Sequence, residues 1–436
     1  MKYRLLFIVA LTLVVAIPRA NAQTGYTIAC VGADVTTALN AALSGGGLVT
    51  LSPGVCKISS PAAFPPNKLT RLVGAGPGIT ILNQTSTSAS GITVFNVSLN
   101  NFGGGIENLT ITADPALSCS SLAGSTGNGI DVDYAGDNWV IRNVLIYGFS
   151  NNLRYRDSWN TYNNTIESIC YKNTGILLDY PTASEPSGTG TFTSIGVGTK
   201  ASGATSTVGI LINADGGSLW TNVQEGSADN GIVLRSKAVA GGGAMIGGQW
   251  FSNVLADTNT GNGWIFDTAT NSGSSIGPIF CSMCWGSFNS NVGVWFNGPS
   301  GTITSVEFNG GRISQNAFQG MVISSAARST TLTGGLHVED NSFPGTGGTA
   351  LASPGIEVLA GVQRLTISGI TSGNSGMGAI TQGTSLVIDS GTTDYLTVTG
   401  NNFSAYGGST SVINGATGTH NIVSCNNKGA SGASCP

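Results

Sequence analysis

A short element that starts with glycine and continues with alternating side chains recurs along the chain, and it limits the folds that the chain can adopt. Successive copies start between 22 (209 to 231) and 46 (129 to 175) residues apart, and no copy is long enough to fold by itself. The copies are GIDVD (129–133), GILLD (175–179), GILIN (209–213), GIVLR (231–235), GWIFD (263–267), GVWFN (293–297), GMVIS (320–324) and GIEVL (355–359).

Short strands at an irregular spacing of 22 to 46 residues, without a two-residue hairpin loop that joins successive copies, argue against a β-sandwich. Stacked turns of a solenoid account for the repeat, because each short strand pairs with its neighbours and insertions of variable length leave through the turns. Charged residues make up only 9% of the chain and glycine contributes 65 of 436 residues, a composition typical of a turn-rich all-β protein. The sequence therefore predicts a single-stranded parallel β-helix, and we expect Asn and Gly at its corners, where left-handed backbone is required.

The first residues have the pattern of a secretory signal peptide. Lys2 and Arg4 precede a short apolar run, and Ala20-Asn21-Ala22 supplies the small residues that precede a cleavage site. We therefore expect residues 1–22 to be removed near Ala22 and residues 23–436 to form one exported domain without membrane insertion. No basic stripe remains, so nucleic acid is not an expected partner.

The cysteine count is even, at 8, and in an exported chain this favours disulfides. Cys30 with Cys56 would tie down the first ordered segment, Cys119 with Cys170 would join neighbouring rungs, and Cys425 with Cys435 would close the C-terminal tail. Cys281 and Cys284 have the spacing of a redox or zinc motif, but no nearby residue supports either role. We include this pair among the disulfide cysteines.

One helix is predicted near the start of the mature chain. Val35, Leu39 and Leu43 recur at helical spacing, Asp34 could cap the helix, and Gly45 would end it, which places the helix at about 34–43 within an N-terminal cap of about 30–60.

The segment ADVTTALNAALSGGGLVTLSPGVCKIS (33–59), followed by LVGAGPGITIL (72–82), resembles the N-terminal cap and first coils of the pectate-lyase-like superfamily, in particular its tailspike-like and polygalacturonase-related branch. The resemblance implies a right-handed coil, a helix that caps its open end, and action on an acidic or complex polysaccharide. It leaves the oligomeric state open, with a homotrimer as one option by analogy. No cofactor is expected, except calcium if the enzyme is a lyase.

The catalytic motifs of polygalacturonases do not transfer to this chain. The nearest strings are all incomplete: Asn213-Ala214-Asp215, Gly335-Leu336-His337 and Arg312-Ile313-Ser314. We carry over no catalytic residue from the family, so the candidate sites below depend on the sequence pattern alone.

The first candidate site comes from four segments that share a small residue, a short strand and an asparagine. Aligned on Asn253, Asn289, Asn316 and Asn341, they place four side chains in one column: Gln249, Trp285, Arg312 and His337. Glu339 lies two residues beyond His337, on the same face. An aromatic platform, a cation, an imidazole and a carboxylate together suit a saccharide, with Trp285, Gln249 and Arg312 binding it and Arg312, His337 and Glu339 as catalytic candidates. The alternative is a solvated face in which Arg312 pairs with Glu339.

The second candidate site is a group of carboxylates at the ends of the glycine-led strands. Asp131 and Asp133 share a strand and a face, and Asp133 would stack on Asp179 of the next rung. Two carboxyl groups at such distances could hydrolyse a glycosidic bond, and their mutual repulsion would raise one pKa. Alternatively, these aspartates satisfy backbone groups at strand ends.

Two classes of function follow from the sequence. The first is a secreted polysaccharide-degrading enzyme, either a glycoside hydrolase or a polysaccharide lyase. The second is a non-catalytic surface or adhesion protein that uses the β-helix as a stiff carbohydrate-binding rod.

Overall fold

The structure is a computed structural model, and it describes residues 25–428 apart from a set of short gaps. The gaps are 67, 96–103, 115, 117, 120–124, 134–137, 157, 159, 180–189, 237, 240–241, 244, 269–272, 299–300, 377–379, 405–410 and 424–425. The proposed signal peptide, residues 1–22, lies outside the described residues.

Two long parallel sheets contain nearly all of the strands. A third, two-stranded antiparallel sheet pairs Ala238–Val239 with Gly242–Gly243. The strands of the larger sheet are Gly25–Ile28, Val31–Asp34, Gly47–Leu51, Gly54–Ile58, Thr70–Val73, Thr80–Gln84, Gly105–Thr112, Val140–Tyr147, Thr161–Ile169, Gly190–Val197, Ser218–Gly226, Met245–Ile246, Gln249–Asp257, Ser275–Ile276, Ile279–Ser287, Thr302–Ser314, Ala327–Thr333, His337–Glu339, Gln363–Ser368, Thr371–Gly373, Asp394–Thr399, Asn402–Ser404 and Ile422–Val423. The strands of the second sheet are Ala62–Phe64, Ile92–Phe95, Asn128–Asp133, Asn151–Arg156, Thr174–Asp179, Val208–Ile212, Asn230–Arg235, Trp264–Asp267, Val294–Asn297, Met321–Ile323, Pro354–Val358, Thr384–Gly391 and Val412–Ala416.

Each coil contributes one short strand to the second sheet and either one bent strand or two shorter strands to the larger sheet. The strand Ile279–Ser287, for example, pairs in parallel with Gln249–Asp257 on one side and with Thr302–Ser314 on the other. Successive coils thus stack directly on one another at about 4.8 Å per rung. The prediction of an all-β parallel β-helix is confirmed, and the glycine-led repeats are the strands of the second sheet.

The bent strands turn at a corner where one residue has left-handed backbone. Asn108, Asn143, Asn222 and Asn253 occupy this corner with φ between 53° and 57°. The next two rungs place Met283 and Gly310 at the equivalent position, with φ of 56° and 70°. Thr165 and Ser194 occupy the same corner on the two rungs between Asn143 and Asn222, with φ of 54° and 56°. The expected use of Asn and Gly is thus confirmed at five of these eight rungs, and the shared conformation keeps the outward columns in register along the stack.

The interior is filled by aliphatic and aromatic rungs and by one ladder of amides. Phe192 stacks on Trp220 with ring centroids 3.9 Å apart. Asn259, Asn289, Asn316 and Asn341 are each at most 1% exposed, and each side chain accepts from or donates to the next. Because a buried amide must be satisfied on both its oxygen and its nitrogen, this ladder fixes how consecutive coils align.

The N-terminal helix spans Thr36–Gly45, and it buries Leu39 and Leu43 as predicted. The predicted start is wrong by two residues, because Asp34 belongs to an extended strand that pairs with Gly54–Ile58. The Asp34 carboxylate still accepts a hydrogen bond of 2.8 Å from the backbone nitrogen of Thr36. Only this helix and a single 3₁₀ turn at Pro344–Thr346 occur among the described residues, and neither is long and apolar enough to cross a membrane.

Three predicted disulfide sets are confirmed: Cys30–Cys56, Cys119–Cys170 and Cys281–Cys284. The last pair points into the core, where both residues are at most 1% exposed. The predicted partners Cys425 and Cys435 lie outside the described residues.

Candidate functional site

The outward face of the larger sheet carries the column that the sequence predicts, with one change. Backbone pairing places Trp285 beside Arg312 and Arg312 beside His337 on three consecutive rungs. On the other side of Trp285 the column continues with Leu255, not with Gln249. Trp285, Arg312 and His337 therefore share a face, as the alignment predicts.

A carboxylate holds the imidazole of this face. Nδ1 of His337 lies 2.9 Å from Oε1 of Glu339, two residues further along the same strand. The His337 side chain is 48% exposed whereas that of Glu339 is 11% exposed, so the carboxylate is sheltered while the imidazole meets solvent. This hydrogen bond fixes the orientation of the ring and leaves Nε2 as its second functional nitrogen.

The guanidinium of Arg312 lies between two carboxylates. Its Nη2 is 3.7 Å from Oε2 of Glu339 and 3.7 Å from Oδ2 of Asp340. Both distances are longer than hydrogen bonds, and Nε of Arg312 is buried without a hydrogen-bond partner. The cation is thus held near the imidazole. Its Nη2 lies beyond hydrogen-bond distance of both carboxylates, so this nitrogen could donate to an anionic ligand. Asp340 was not predicted as a site residue, although it directly follows Glu339 in the sequence.

Trp285 offers a partly exposed ring one rung from Arg312. The residue is 37% exposed, and its backbone carbonyl accepts a hydrogen bond of 2.8 Å from Nε1 of the buried Trp264. The interior indole therefore anchors the strand on which the exposed indole lies.

The predicted placement of Gln249 is wrong. Gln249 pairs with Ile279 and is fully buried. The prediction failed because the alignment matched Asn289 with the corner residue Asn253, whereas Asn289 is paired in the amide ladder with Asn259. Inside the coil, Oε1 of Gln249 accepts from Nε1 of Trp220 at 3.0 Å, and its Nε2 donates to Oδ2 of Asp215 at 2.6 Å. Gln249 thus links a buried tryptophan to a buried carboxyl group and contributes nothing to the outward face.

Asp215 gives the stability of the coil a pH dependence that can be measured. Burial raises the pKa of Asp215 from 3.8 to about 6, against the opposing effect of its hydrogen bonds. The folded protein favours the neutral form of this carboxyl group. The contribution of Asp215 to the free energy of unfolding is therefore complete below its pKa of 3.8 in the unfolded chain and is lost as pH rises through about 6. At pH 8, the free energy of unfolding of Asp215→Asn, measured with denaturant, should therefore exceed that of wild type by up to about 3 kcal/mol. At pH 4 the two proteins should have similar free energies of unfolding. Equal stability of the two proteins at pH 8 would contradict this prediction.

The second candidate site differs more from its prediction. An additional rung, Asn151–Arg156, lies between the strands of Asp133 and Asp179, so these residues do not stack on each other. Oδ2 of Asp133 lies 2.6 Å from Nη2 of Arg156, and Asp179 accepts a hydrogen bond of 3.0 Å from Asn213. This rung was not predicted from the sequence, because it starts with Asn-Asn in place of glycine.

Asp131 and Asp133 share a face, as predicted, but both are engaged by arginines. Asp131 accepts two hydrogen bonds of 2.8 Å from Arg154. The pKa of Asp133 is raised chiefly by burial, which Arg156 opposes, and the nearby Asp131 adds a smaller increase. The predicted direction is right, but burial and not mutual repulsion is the main cause. These carboxylates form an ion-paired ladder on the second sheet.

A groove continues from Trp285 along the same outward column. One cavity of about 480 Å³ is lined by Trp285, Leu255, Gln224 and Glu167, and a second of about 340 Å³ shares the last three of these. Gly196 lies between Gln224 and Glu167 in the column, and its missing side chain deepens the groove. Apart from Trp285, these groove residues were not predicted from the sequence, because only the four later segments were aligned.

Metal ligands are not grouped in the part of the chain that the structure describes: no three His, Cys, Asp or Glu side chains there are placed to hold an ion. The acids nearest the imidazole, Glu339 and Asp340, both lie beside the Arg312 guanidinium. The described residues thus do not fit a calcium site on this face.

Comparison of the sequence with family models gives no match, and none of the curated proteins matches it either. Solved structures do match. The A-module of the mannuronan C-5 epimerase AlgE4 from Azotobacter vinelandii is similar over 92% of this chain and 98% of its own, at 15% identity and a TM-score of 0.56. The A-module of AlgE6 from the same organism covers 91% of this chain and 94% of its own, at 17% identity and a TM-score of 0.50.

The catalytic domain of a GH87 alpha-1,3-glucanase in complex with nigerose is also similar, over 95% of this chain and 70% of its own, at 14% identity and a TM-score of 0.44. Identities this low establish the fold alone. The parallel sheets, the one α-helix among the described residues and the two A-modules agree. The protein therefore has a right-handed parallel β-helix, the fold of the pectate-lyase-like superfamily that its N-terminal segment resembles.

Proposed function

We propose that this protein binds an acidic polysaccharide along the face formed by Trp285, Arg312, His337 and Glu339, and that it cleaves the polymer by elimination. The observation that carries the proposal is the 2.9 Å contact between His337 and Glu339 beside the guanidinium of Arg312. An oriented imidazole next to a cation suits removal of a proton from a carbon that carries a carboxylate.

In the proposed step, Nε2 of His337 takes the C5 proton of a uronate unit while Arg312 contacts the uronate carboxylate. The C5–H electrons form the C4=C5 double bond, the C4–O bond breaks, and the departing oxygen takes a proton from water. The hydroxide that remains then takes the proton from Nε2 of His337, which restores the neutral imidazole. Glu339 stabilises the imidazolium that forms, because its carboxylate contacts Nδ1. The chain is cut into a new reducing-end fragment and an unsaturated uronide.

Hydrolysis has less support from the same residues. A glycosidase needs two carboxyl groups free to act as acid and as base or nucleophile. Here Glu339 is engaged with His337, and Asp131 and Asp133 are engaged with arginines on the other sheet. These three predicted acids are thus engaged by neighbouring side chains, whereas the His337 side chain is 48% exposed.

Two further observations support a polysaccharide substrate outside the cytoplasm. The similar A-modules are named as mannuronan C-5 epimerases, and mannuronan is a uronate polymer. The disulfides favour an oxidising compartment, consistent with export after cleavage near Ala22.

Incubation of the purified protein with acidic and neutral polysaccharides tests the proposal. Elimination should produce ultraviolet absorbance of an unsaturated uronide from acidic polymers only, and chelation with EDTA should leave it unchanged. New reducing ends without this absorbance would indicate hydrolysis. Exchange of the C5 proton without cleavage would be consistent with His337 as the base but would overturn elimination. Binding without any product would favour a non-catalytic, carbohydrate-binding adhesion protein.

Two substitutions on this face should have different signatures. Trp285→Ala should weaken binding of acidic and neutral polymers alike by about 1–3 kcal/mol, by analogy with bases stacked on aromatic side chains. Arg312→Ala should weaken binding of acidic polymers more than of neutral ones, because it removes a charge-assisted contact. Isothermal titration of each folded variant measures both effects. Unchanged affinity in both variants would remove this face from the proposed site.

A further inference from the structure

We propose that the groove selects a heteropolysaccharide, with a uronate unit at Arg312 and an uncharged, hydroxyl-rich sugar at Glu167. This inference rests on the proposed function, since it takes the site at Arg312 as given. A second contact point on the protein, at Glu167, would bind the same polymer and restrict it to chains that also contain uncharged sugars.

The two points lie on one continuous column. Going down the stack from Arg312, backbone pairing leads through Trp285, Leu255, Gln224 and Gly196 to Glu167, which is five rungs away. At about 4.8 Å per rung the separation is about 24 Å, which is enough for several sugar units of a chain that runs along the helix axis. The two cavities occupy the lower part of this path.

The two ends of the column differ in the charged groups that they present, although Glu339 and Asp340 lie beside the cation at the upper end. The upper end presents the guanidinium of Arg312, whereas Glu167 and Asp257 line the lower cavity. Of the described residues that line either cavity, none is Lys, Arg or His. A polymer with a carboxylate on every unit would therefore meet repulsion at the lower end that nothing in the lining compensates.

The lower end is equipped to accept hydrogen bonds. Glu167 and Gln224 are exposed, and Asp257 lines the same cavity. Carboxylate oxygens accept hydrogen bonds from sugar hydroxyls, and Gln224 between them can both accept and donate. An uncharged sugar supplies those hydroxyls without a second negative charge, and Leu255 and Trp285 provide apolar contact next to it.

Glu167→Gln tests the inference by removing one negative charge from the groove without changing its shape. The probes are polygalacturonate, which has a carboxylate on every unit, and hyaluronate, in which uronates alternate with uncharged N-acetyl sugars. Affinity for polygalacturonate should rise about threefold in the variant, a size typical of one exposed charge pair, and the gain should vanish at high salt. Affinity for hyaluronate should stay equal or fall.

Glu307→Gln is the matched control, because Glu307 is an outward acid in the column of Trp250 and Phe280, beside the groove and not in it. It should leave both affinities unchanged. If Glu167→Gln behaves like this control while Arg312→Ala weakens both polymers, the groove inference is overturned and the proposed function stands. If wild type binds neither polymer, both are overturned together.

Discussion

Replacing His337 by alanine is expected to lower turnover of an acidic polysaccharide by about 100-fold or more, because a positioned general base contributes roughly that factor to proton abstraction. Polymer affinity should change little, since Trp285 and Arg312 remain on the neighbouring rungs. Initial rates of unsaturated-product formation and the affinity of each folded variant measure the two effects separately. Glu339→Gln should lower turnover less than His337→Ala, because the imidazole remains but loses its charged partner.

The chain supplies a close control for this experiment. His420 is the second of only 2 histidines, and its Nδ1 also lies 2.9 Å from a carboxylate, that of Asp394. Its side chain is 56% exposed, against 48% for His337, so the two imidazoles differ mainly in their surroundings. His420→Ala should keep full turnover. Equal turnover in both variants would remove His337 from the mechanism and with it the proposed elimination.

Replacing Asn316 by alanine is expected to destabilise the protein by about 3 kcal/mol, because a fully buried amide at the centre of the ladder would be lost. Oδ1 of Asn316 accepts from both the backbone nitrogen and Nδ2 of Asn289. Its Nδ2 donates to the carbonyl of Gly286 and to Oδ1 of Asn341. The substitution leaves several of these groups unsatisfied inside the coil, where water cannot replace the amide.

Denaturant unfolding of wild type, Asn316→Ala and Asn164→Ala measures this contribution. Asn164 is an exposed asparagine on the same sheet, and its side chain accepts only a local hydrogen bond from Thr165. Its removal should change the free energy of unfolding by less than about 0.5 kcal/mol. If the two variants are equally stable, the ladder does not hold consecutive coils together as its geometry indicates.

Local sequence determined the architecture. Eight glycine-led strands at irregular spacing and a low content of charge sufficed for a parallel solenoid, because both properties follow from what a strand buried between two neighbours requires. The helix was also predictable, since Leu39 and Leu43 recur at the helical period and are both buried. The alignment of the sequence also predicted correctly that Arg312, His337 and Glu339 lie on one face. Their segments have equal strand and corner lengths, so residues that are aligned in sequence are also paired in space.

Only the tertiary structure decided the register of the earlier rungs and thus the composition of the groove. Asn253 and Asn259 are both candidates for alignment with Asn289, yet the first is an exposed left-handed corner and the second a buried member of the ladder. The choice moves Gln249 from the surface to the core. A rung without a leading glycine likewise separates Asp133 from Asp179. Pairing between coils depends on which side chains are satisfied across neighbouring rungs, a long-range condition that no local pattern along one segment contains.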